Sequence, residues 1–201
     1  VGEGSRDMEV AFGCVGSTIR LRSGLYFDLS DPREDQFTIE DIAGALSKIC
    51  RFGGQIECFY SVAEHSYWCG YQAECDGLTP DEIAAVFLHD AAEAFVGDVV
   101  KPLKLLLGEF GRIERRIEGV IERKFGIDFG KHKKAIQKID HEMLIAERRS
   151  MFSADDVQWE GEDSVRRLTC QFGRWRPSYA ESAFLISAKR WVLGREKGGC
   201  A

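Results

Sequence analysis

Helix-start signals recur along this chain and restrict its fold more than any other feature. Three times, a Ser or Thr is followed three residues later by an acidic residue, and an apolar run at helical spacing comes next. The pairs are Thr38–Asp41, Ser61–Glu64 and Thr79–Glu82. Such a pair satisfies free backbone N–H groups at a helix start. Further helical periodicity covers residues 109–125, 131–152 and, after a proline, 177–193. The sequence therefore predicts an all-α or mainly α fold.

A small β decoration is predicted ahead of these helices. Ile19 and Leu21 alternate with arginines, and Ser23-Gly24 supplies a turn before the next apolar run. We therefore predict one domain over residues 18–194 with loose tails at both ends. Its predicted parts are a hairpin at 18–29, the helices that carry the candidate site at 38–152 and a C-terminal helix at 177–193, with tails at 1–17 and 195–201.

Composition excludes several classes of protein. The net charge of −6 disfavours a nucleic-acid coat and a polybasic membrane binder. No apolar run is long enough to span a bilayer, and residues 1–6 lack the apolar core of a secretory signal. The seven cysteines form no CxxC pair, which is typical of reduced thiols in the cytoplasm. A chain of 201 residues can bury a core without a metal staple, so a bound metal would be functional.

The dipeptide His89-Asp90 is the first candidate for chemistry. It places an imidazole and a carboxylate side by side in an apolar run that is predicted to be helical. Buried polar groups need partners, and a divalent cation would satisfy both side chains. A helix end where the two groups face water or pair with each other is the alternative. For the dipeptide alone, that alternative is the better interpretation.

Neighbouring residues change this balance. His65 lies one turn into the preceding predicted helix, and Asp140 lies in a later one. Glu93 follows His89 by four residues and would share its helical face. Asp98, Lys101 and Lys104 follow soon after, and Arg51 ends the predicted helix that precedes His65. Histidines, carboxylates and cations on consecutive helices are what a metal–phosphate site requires.

The ordered set resembles the HD-domain metal-dependent phosphohydrolases, whose pattern is a His, a His-Asp pair and a later Asp. Here these are His65, His89-Asp90 and Asp140. The stretch 89–98, with the Pro and Lys that follow it, is similar to the small bacterial 5'-deoxynucleotidase (YfbR-like) branch, as is the Arg-aromatic element in 49–52. The N-terminus also resembles short relatives that hydrolyse nucleoside triphosphates. The resemblance covers residues 18–152.

This resemblance implies an HD-domain helical bundle with one divalent ion (Mn, Co, Mg, Zn, Fe or Ni). The implied ligands are His65, His89, Asp90 and Asp140. Glu93 would orient or deprotonate the attacking water, and Asp98 would lie near the leaving ribose oxygen. The implied substrate contacts are Arg51, Phe52, Lys101 and Lys104. The implied partner is a small nucleotide, with no nucleic-acid polymer and no membrane, and a homodimer is common among such relatives.

The histidine count bears on how many metals are bound. Dinuclear relatives carry two further histidines between the His-Asp pair and the last Asp, whereas here only His132 falls in that interval, among lysines. One metal is therefore favoured, and His132 is interpreted as the start of a basic helix. His141 points about 100° away from Asp140 on an ideal helix, so a surface or outer-shell role is expected. Cys69 is interpreted as a buried structural thiol.

We therefore expect a phosphohydrolase of (deoxy)nucleotides. The bond cut would be the ester of a nucleoside 5'-monophosphate or the α-phosphate linkage of a triphosphate. Two alternatives are a hydrolase of a signalling nucleotide, either an alarmone or a cyclic nucleotide, and a non-catalytic metal–nucleotide sensor. A sensor would have lost a ligand or Glu93, and all are present. Glu147 shares the helical face of Asp140, and both a solvated salt bridge and a pairing with site cations stay open for it.

Overall fold

The computed structural model describes residues 14–153, 157, 159–168 and 170–195. The rest of the predicted tails, 1–13 and 196–201, lies outside the described residues. The helices are α1 (Ile39–Leu46), α2 (Val62–Cys75), α3 (Pro80–Leu88), α4 (Glu93–Val96), α5 (Lys101–Lys104), α6 (Phe110–Phe125), α7 (Lys133–Met151) and α8 (Pro177–Ala188). Short 3-10 turns lie at Glu34–Gln36, Arg51–Gly54 and Glu162–Ser164, and a π-helical turn, Lys189–Leu193, follows α8. The prediction of a mainly α-helical chain is confirmed.

The predicted hairpin is present. β2 (Thr18–Arg20) pairs antiparallel with β3 (Tyr26–Asp28), with Ile19 opposite Phe27. Gly24 in the turn has a φ of 93°, which suits glycine because it has no Cβ. A further strand, β1 (Cys14–Val15), pairs with the free edge of β2, so the predicted tail over 1–17 is wrong for its last residues. Two residues are too short a run to show strand periodicity in sequence.

The core lies where α2 crosses the other helices. α2 packs against α3, α7 and α8, and α1 packs against α8. Large fully buried side chains form one core cluster with these helices, among them Phe27, Phe37, Phe87, Ile121 and Phe184. This packing sets α2, α3 and α7 side by side. In the described part of the chain, no helix combines the length and the apolar character needed to cross a membrane.

The predicted helix starts are correct, with one informative departure. The side chains of Thr38, Ser61 and Thr79 each accept the backbone N–H three residues on. At Ser61 the reciprocal half of the capping box is missing. The Glu64 carboxylate instead accepts the backbone N–H groups of Gly173 (2.6 Å) and Trp175 (3.0 Å).

Three boundaries that the sequence predicts are wrong, namely a first helix that ends at Gly53-Gly54, a third that ends or kinks at Gly97 and a loose tail from residue 195. α1 ends at Leu46, before Gly53-Gly54, and α3 ends at Leu88, so His89 caps α3 and Asp90 lies in a turn. Tight bonds from residue i+3 to residue i replace the helical ones there, and α4 begins only at Glu93. At the C-terminus, Arg195 is not loose, because its guanidinium pairs with Asp81 at 3.2 Å and donates to carbonyls at the end of α6.

Candidate metal centre

Three ligand atoms from three helical segments lie close together. His65 comes from α2, His89 from the end of α3 and Asp140 from α7, and one ligand atom of each lies within 4.8 Å of the others. The Nε2 atoms of the two histidines are 3.5 Å apart. Asp140 Oδ1 is 3.3 Å from the first and 3.5 Å from the second. This cluster could hold a metal ion.

The spacing of this triangle fits a transition-metal ion. Ligands bonded at about 2.0–2.1 Å to one tetrahedral ion stand about 3.3–3.4 Å apart. The three distances, 3.3, 3.5 and 3.5 Å, are the edges of one face of such a shell. Imidazole nitrogen and carboxylate oxygen are also a ligand combination that divalent transition metals accept. The donor set and its geometry therefore suit the predicted divalent ion.

In both histidines, the hydrogen bond made by Nδ1 determines which ring nitrogen carries the hydrogen. His65 Nδ1 lies 2.5 Å from the carboxylate of Glu147, and His89 Nδ1 lies 2.7 Å from the Val86 carbonyl. An ionised carboxylate and a carbonyl can only accept, so each Nδ1 donates its hydrogen. In the neutral form of each imidazole, Nε2 then carries the lone pair that a metal ligand needs.

Asp90 lies beside this triangle and also contacts a cation. Its carboxylate oxygens are 3.2 Å from His89 Nε2 and 3.5 Å from His65 Nε2, and Arg51 lies 3.3 Å from one of them. A ligand role for Asp90 remains a prediction. Its carboxylate adds a fourth candidate ligand atom close to both imidazoles.

Glu147 is the residue whose place sequence reasoning left open. Its side chain is 0% exposed, which excludes the solvated salt bridge. Besides His65, it contacts the Tyr60 hydroxyl at 2.9 Å and Arg51 at 3.2 Å. Burial alone would raise the pKa of Glu147, but the Arg51 guanidinium and His65 lower it. The seven-residue spacing from Asp140 is the only sequence signal for it.

Glu93 is a buried carboxyl and Asp98 a half-buried one, and both lie close to the same charges. Burial, with the Asp90 and Asp98 carboxylates nearby, raises the pKa of Glu93 to about 9. Burial also raises the pKa of Asp98, against the opposing effect of Arg51. Glu93 Oε2 is buried and has no hydrogen-bond partner. Carboxyls held in this way are typical of sites that move protons.

A cavity of about 720 Å³ opens over the cluster. Its lining includes most of the predicted site residues, namely Arg51, Phe52, Asp90, Glu93, Asp98, Lys101, Lys104 and Asp140. Lys104 Nζ lies between Glu114 Oε1 (2.7 Å) and Glu93 Oε1 (3.7 Å). His89 lines a neighbouring cavity of about 530 Å³ that shares Asp90, Glu93 and Lys104. The structure thus brings the predicted catalytic and substrate residues to one place.

The remaining predicted side chains fall outside the ligand cluster. Cys69 is fully buried, and burial raises the pKa of its thiol to about 11, so the sulfur is neutral. His132 is the N-cap residue of α7 and is not part of the described cluster. His141 lines the 720 Å³ cavity without joining the triangle.

Together these features describe a mainly helical protein with a candidate His/His/Asp metal site. The chain is 38% identical over 144 residues to the YfdR protein of Escherichia coli K12, which is described as uncharacterized. The match covers 71% of this chain and 77% of that protein, so the chain belongs to the YfdR family. An uncharacterized protein of Rhodobacter capsulatus is 34% identical over 113 residues, 54% of this chain and 58% of that protein. No protein-family model matches the chain.

Proposed function

We propose that this protein is a metal-dependent phosphohydrolase of the HD-domain class that acts on (deoxy)nucleotides. One observation carries the proposal. The triangle of His65, His89 and Asp140 adjoins a cavity whose walls combine the carboxyls of Glu93 and Asp98 with three basic side chains. Cations for a phosphate, carboxyls for proton transfer and ligands for a dication are the parts that phosphate-ester hydrolysis requires.

The phosphate is bound by Arg51 and Lys104. Arg51 is held between Asp90 (3.3 Å) and Glu147 (3.2 Å), and Lys104 is held by Glu114. Because both cations are restrained before the substrate arrives, little ordering is needed when they donate to phosphate oxygens. Lys101 adds positive charge at the cavity wall.

Glu93 handles the proton of the attacking water. The raised pKa keeps the carboxyl of the cation-free protein protonated at neutral pH. A divalent ion in the adjacent site would acidify water, neutralise phosphoryl charge and favour the ionised form of Glu93. The unpartnered Oε2 is then free to accept a proton. Asp98, also with a raised pKa, serves the leaving ribose oxygen.

The decisive experiment is a product assay on dAMP and dATP in parallel. Purified protein is treated with EDTA and assayed with Mg, Mn, Co or Zn added back. We expect metal-dependent release of phosphate from dAMP or of triphosphate from dATP, and the product identifies the bond cut. A folded protein that turns over neither nucleotide with any of these metals would contradict the proposal.

Asp90→Ala tests the site assignment. We expect activity to fall by at least about 100-fold, because the variant loses a carboxylate that contacts Arg51 and both imidazoles. Circular dichroism checks that the helices remain. Asp31→Ala, at a side chain that is 75% exposed, is the matched control and should retain full activity. Wild-type activity in Asp90→Ala would show that the site is misassigned.

A further inference from the structure

One wall of the 720 Å³ cavity takes no part in the phosphate chemistry described above. It is apolar and includes Phe52, Leu144 and Trp159, which line the same cavity as the carboxylates and cations. We propose that this wall is a nucleobase-binding subsite in which the base stacks on the indole of Trp159. The inference rests on the proposed function and adds the position and chemistry of base recognition to it.

The course of α7 along the cavity links this wall to the candidate metal centre. Gln137, Asp140, His141 and Leu144 line the cavity at positions i, i+3, i+4 and i+7, so they share one face of the helix. Asp140 and Leu144 are separated by about 6 Å along the helix axis. A nucleotide has its base separated from its phosphate by one sugar ring. If the phosphate lies near Asp140, the base can therefore reach the apolar wall.

The indole of Trp159 is fixed before any ligand binds. The Arg148 guanidinium lies 5.0 Å from the ring centroid and covers one side of the ring. Arg148 is held by two bonds to Glu162 of 2.8 and 2.9 Å, and Glu162 also accepts the backbone N–H of Trp159 at 3.2 Å. A rigid aromatic surface loses little entropy on binding, which favours stacking.

Phe152 joins the two cavity-lining aromatic rings into one wall. Its ring meets Phe52 edge-on at 5.1 Å and Trp159 at 5.7 Å. Phe52 itself has a φ of 59°, a left-handed conformation that costs about 1–2 kcal/mol in a residue with a Cβ. Phe52 follows Arg51 directly in the same turn, Arg51–Gly54. One end of the wall thus adjoins the cation proposed for phosphate binding.

Polar side chains on the same face of α7 can form hydrogen bonds with the edge of a base. The amide of Gln137 and the imidazole of His141 both line the cavity, and they can donate and accept hydrogen bonds. His141 packs against Gly161, where an added Cβ would lie 2.8 Å from its Nε2. A flat heteroaromatic ring with hydrogen-bonding groups on its edge fits this combination. A sugar phosphate without a base would use only the polar end of the cavity.

Steady-state kinetics with dAMP and with 2-deoxyribose 5-phosphate test the proposal. Trp159→Ala should raise the KM for dAMP by about 5- to 100-fold, since stacking contributes about 1–3 kcal/mol per base. The same variant should leave kcat and the KM for the sugar phosphate within about twofold of wild type. Trp159→Phe keeps an aromatic ring and should recover most of the affinity for dAMP. Tyr179→Ala, at an exposed aromatic outside the cavity, is the control. Equal changes of KM for both substrates would overturn the base subsite.

Tryptophan fluorescence separates the failure of this proposal from failure of the proposed function. Titrating dAMP into wild-type protein should quench the emission, and Trp159→Phe should lose that quenching. Quenching without turnover would contradict the phosphohydrolase and support the base subsite. Turnover of dAMP with an unchanged KM in Trp159→Ala would overturn the subsite and leave the phosphohydrolase standing. Circular dichroism confirms that each variant is folded.

Discussion

The carboxylate of Glu147 lies at the centre of a buried hydrogen-bond network. It accepts from His65 and Tyr60 and pairs with Arg51, so one side chain orients a candidate metal ligand and a candidate phosphate contact. A carboxylate behind a ligating histidine fixes its tautomer and raises its basicity. Such networks act as a unit, because removing one member leaves the others buried without partners.

Glu147→Gln should weaken metal binding by about 10- to 100-fold, the range found for residues that hold a ligating histidine. The amide still accepts a hydrogen bond from His65 but carries no negative charge. Isothermal titration of the EDTA-treated protein with Mn²⁺ or Zn²⁺ measures the change. Glu109→Gln, at a side chain that is 72% exposed, should bind as wild type does. An unchanged metal affinity in Glu147→Gln would mean that the network does not support the site.

Glu93→Gln should stabilise the cation-free protein, and the gain should depend on pH. The pKa of this carboxyl is about 9 in the folded protein, against the usual value of 4.5 that applies to the unfolded chain. At neutral pH the folded protein therefore keeps the carboxyl protonated. Below pH 4.5 both states are protonated and the substitution is neutral. Between pH 4.5 and 9 the gain should grow by about 1.4 kcal/mol per pH unit and then level off. Urea unfolding in EDTA at pH 4, 6 and 8 measures it, with Glu40→Gln on α1 as the control. A gain that does not change with pH would refute the account.

At the scale of elements, α2, which carries His65, crosses α3 and the C-terminal turn at close range. Gly70, five residues after His65, lies against Trp191 and Phe87, and a Cβ there would come within 2.6 Å of the Trp191 ring. Both neighbours are buried, so neither ring can move freely. The close approach of α3 and the C-terminal turn to α2 therefore depends on a glycine at this position.

Gly70→Ala should destabilise the protein by about 1–3 kcal/mol, because overpacking outweighs the gain in helix propensity. The matched control is Gly119→Ala in α6, where the nearest atom to an added Cβ is an arginine side-chain nitrogen at 3.7 Å. That control should be neutral or more stable by up to about 1 kcal/mol. Urea denaturation of both variants checks the pair. Equal stability of the two variants would show that the crossing can relax.

Helix starts were predictable and some helix ends were not, for a local reason. Thr38 and Thr79 satisfy N–H groups within their own four-residue segments, so the sequence alone predicts the cap. The end of α3 at Leu88 depends on three-residue turns whose side chains, His89 and Asp90, turn toward another helix. The apolar spacing continues through that break, so periodicity gave no sign of it.

For the whole molecule, the candidate ion would join α2, the end of α3 and α7. With free Mn²⁺ or Zn²⁺ at about 100 times Kd, the folded state should gain about 2.7 kcal/mol, seen as a higher Tm. Asp140→Asn should abolish most of this gain because it removes a ligand oxygen from the triangle. Asp35→Asn, at a side chain that is 80% exposed, should behave as wild type does. An identical Tm with and without metal would contradict the site.

Long-range contacts explain what the sequence could not predict about the site. The order of His65, His89-Asp90 and Asp140 indicated a common centre, and the structure brings them together. The contact between His65 and Glu147 spans 82 residues, and the contact between Arg51 and Glu147 spans 96. Whether Glu147 is buried depends on how α7 packs on α2, which no local pattern encodes. Trp159, likewise, reaches the cavity by a loop without periodicity.

The two hydrogen bonds that Glu64 accepts from Gly173 and Trp175 show that distant parts of the chain meet, which matters for folding during synthesis. Those backbone groups follow Glu64 by 109 and 111 residues, and Asp140 and Glu147 also come late in the chain. A polypeptide emerging from the ribosome therefore presents two imidazoles well before the carboxylates that complete their surroundings. The ligand triangle of His65, His89 and Asp140 can therefore form only after α7 has been translated.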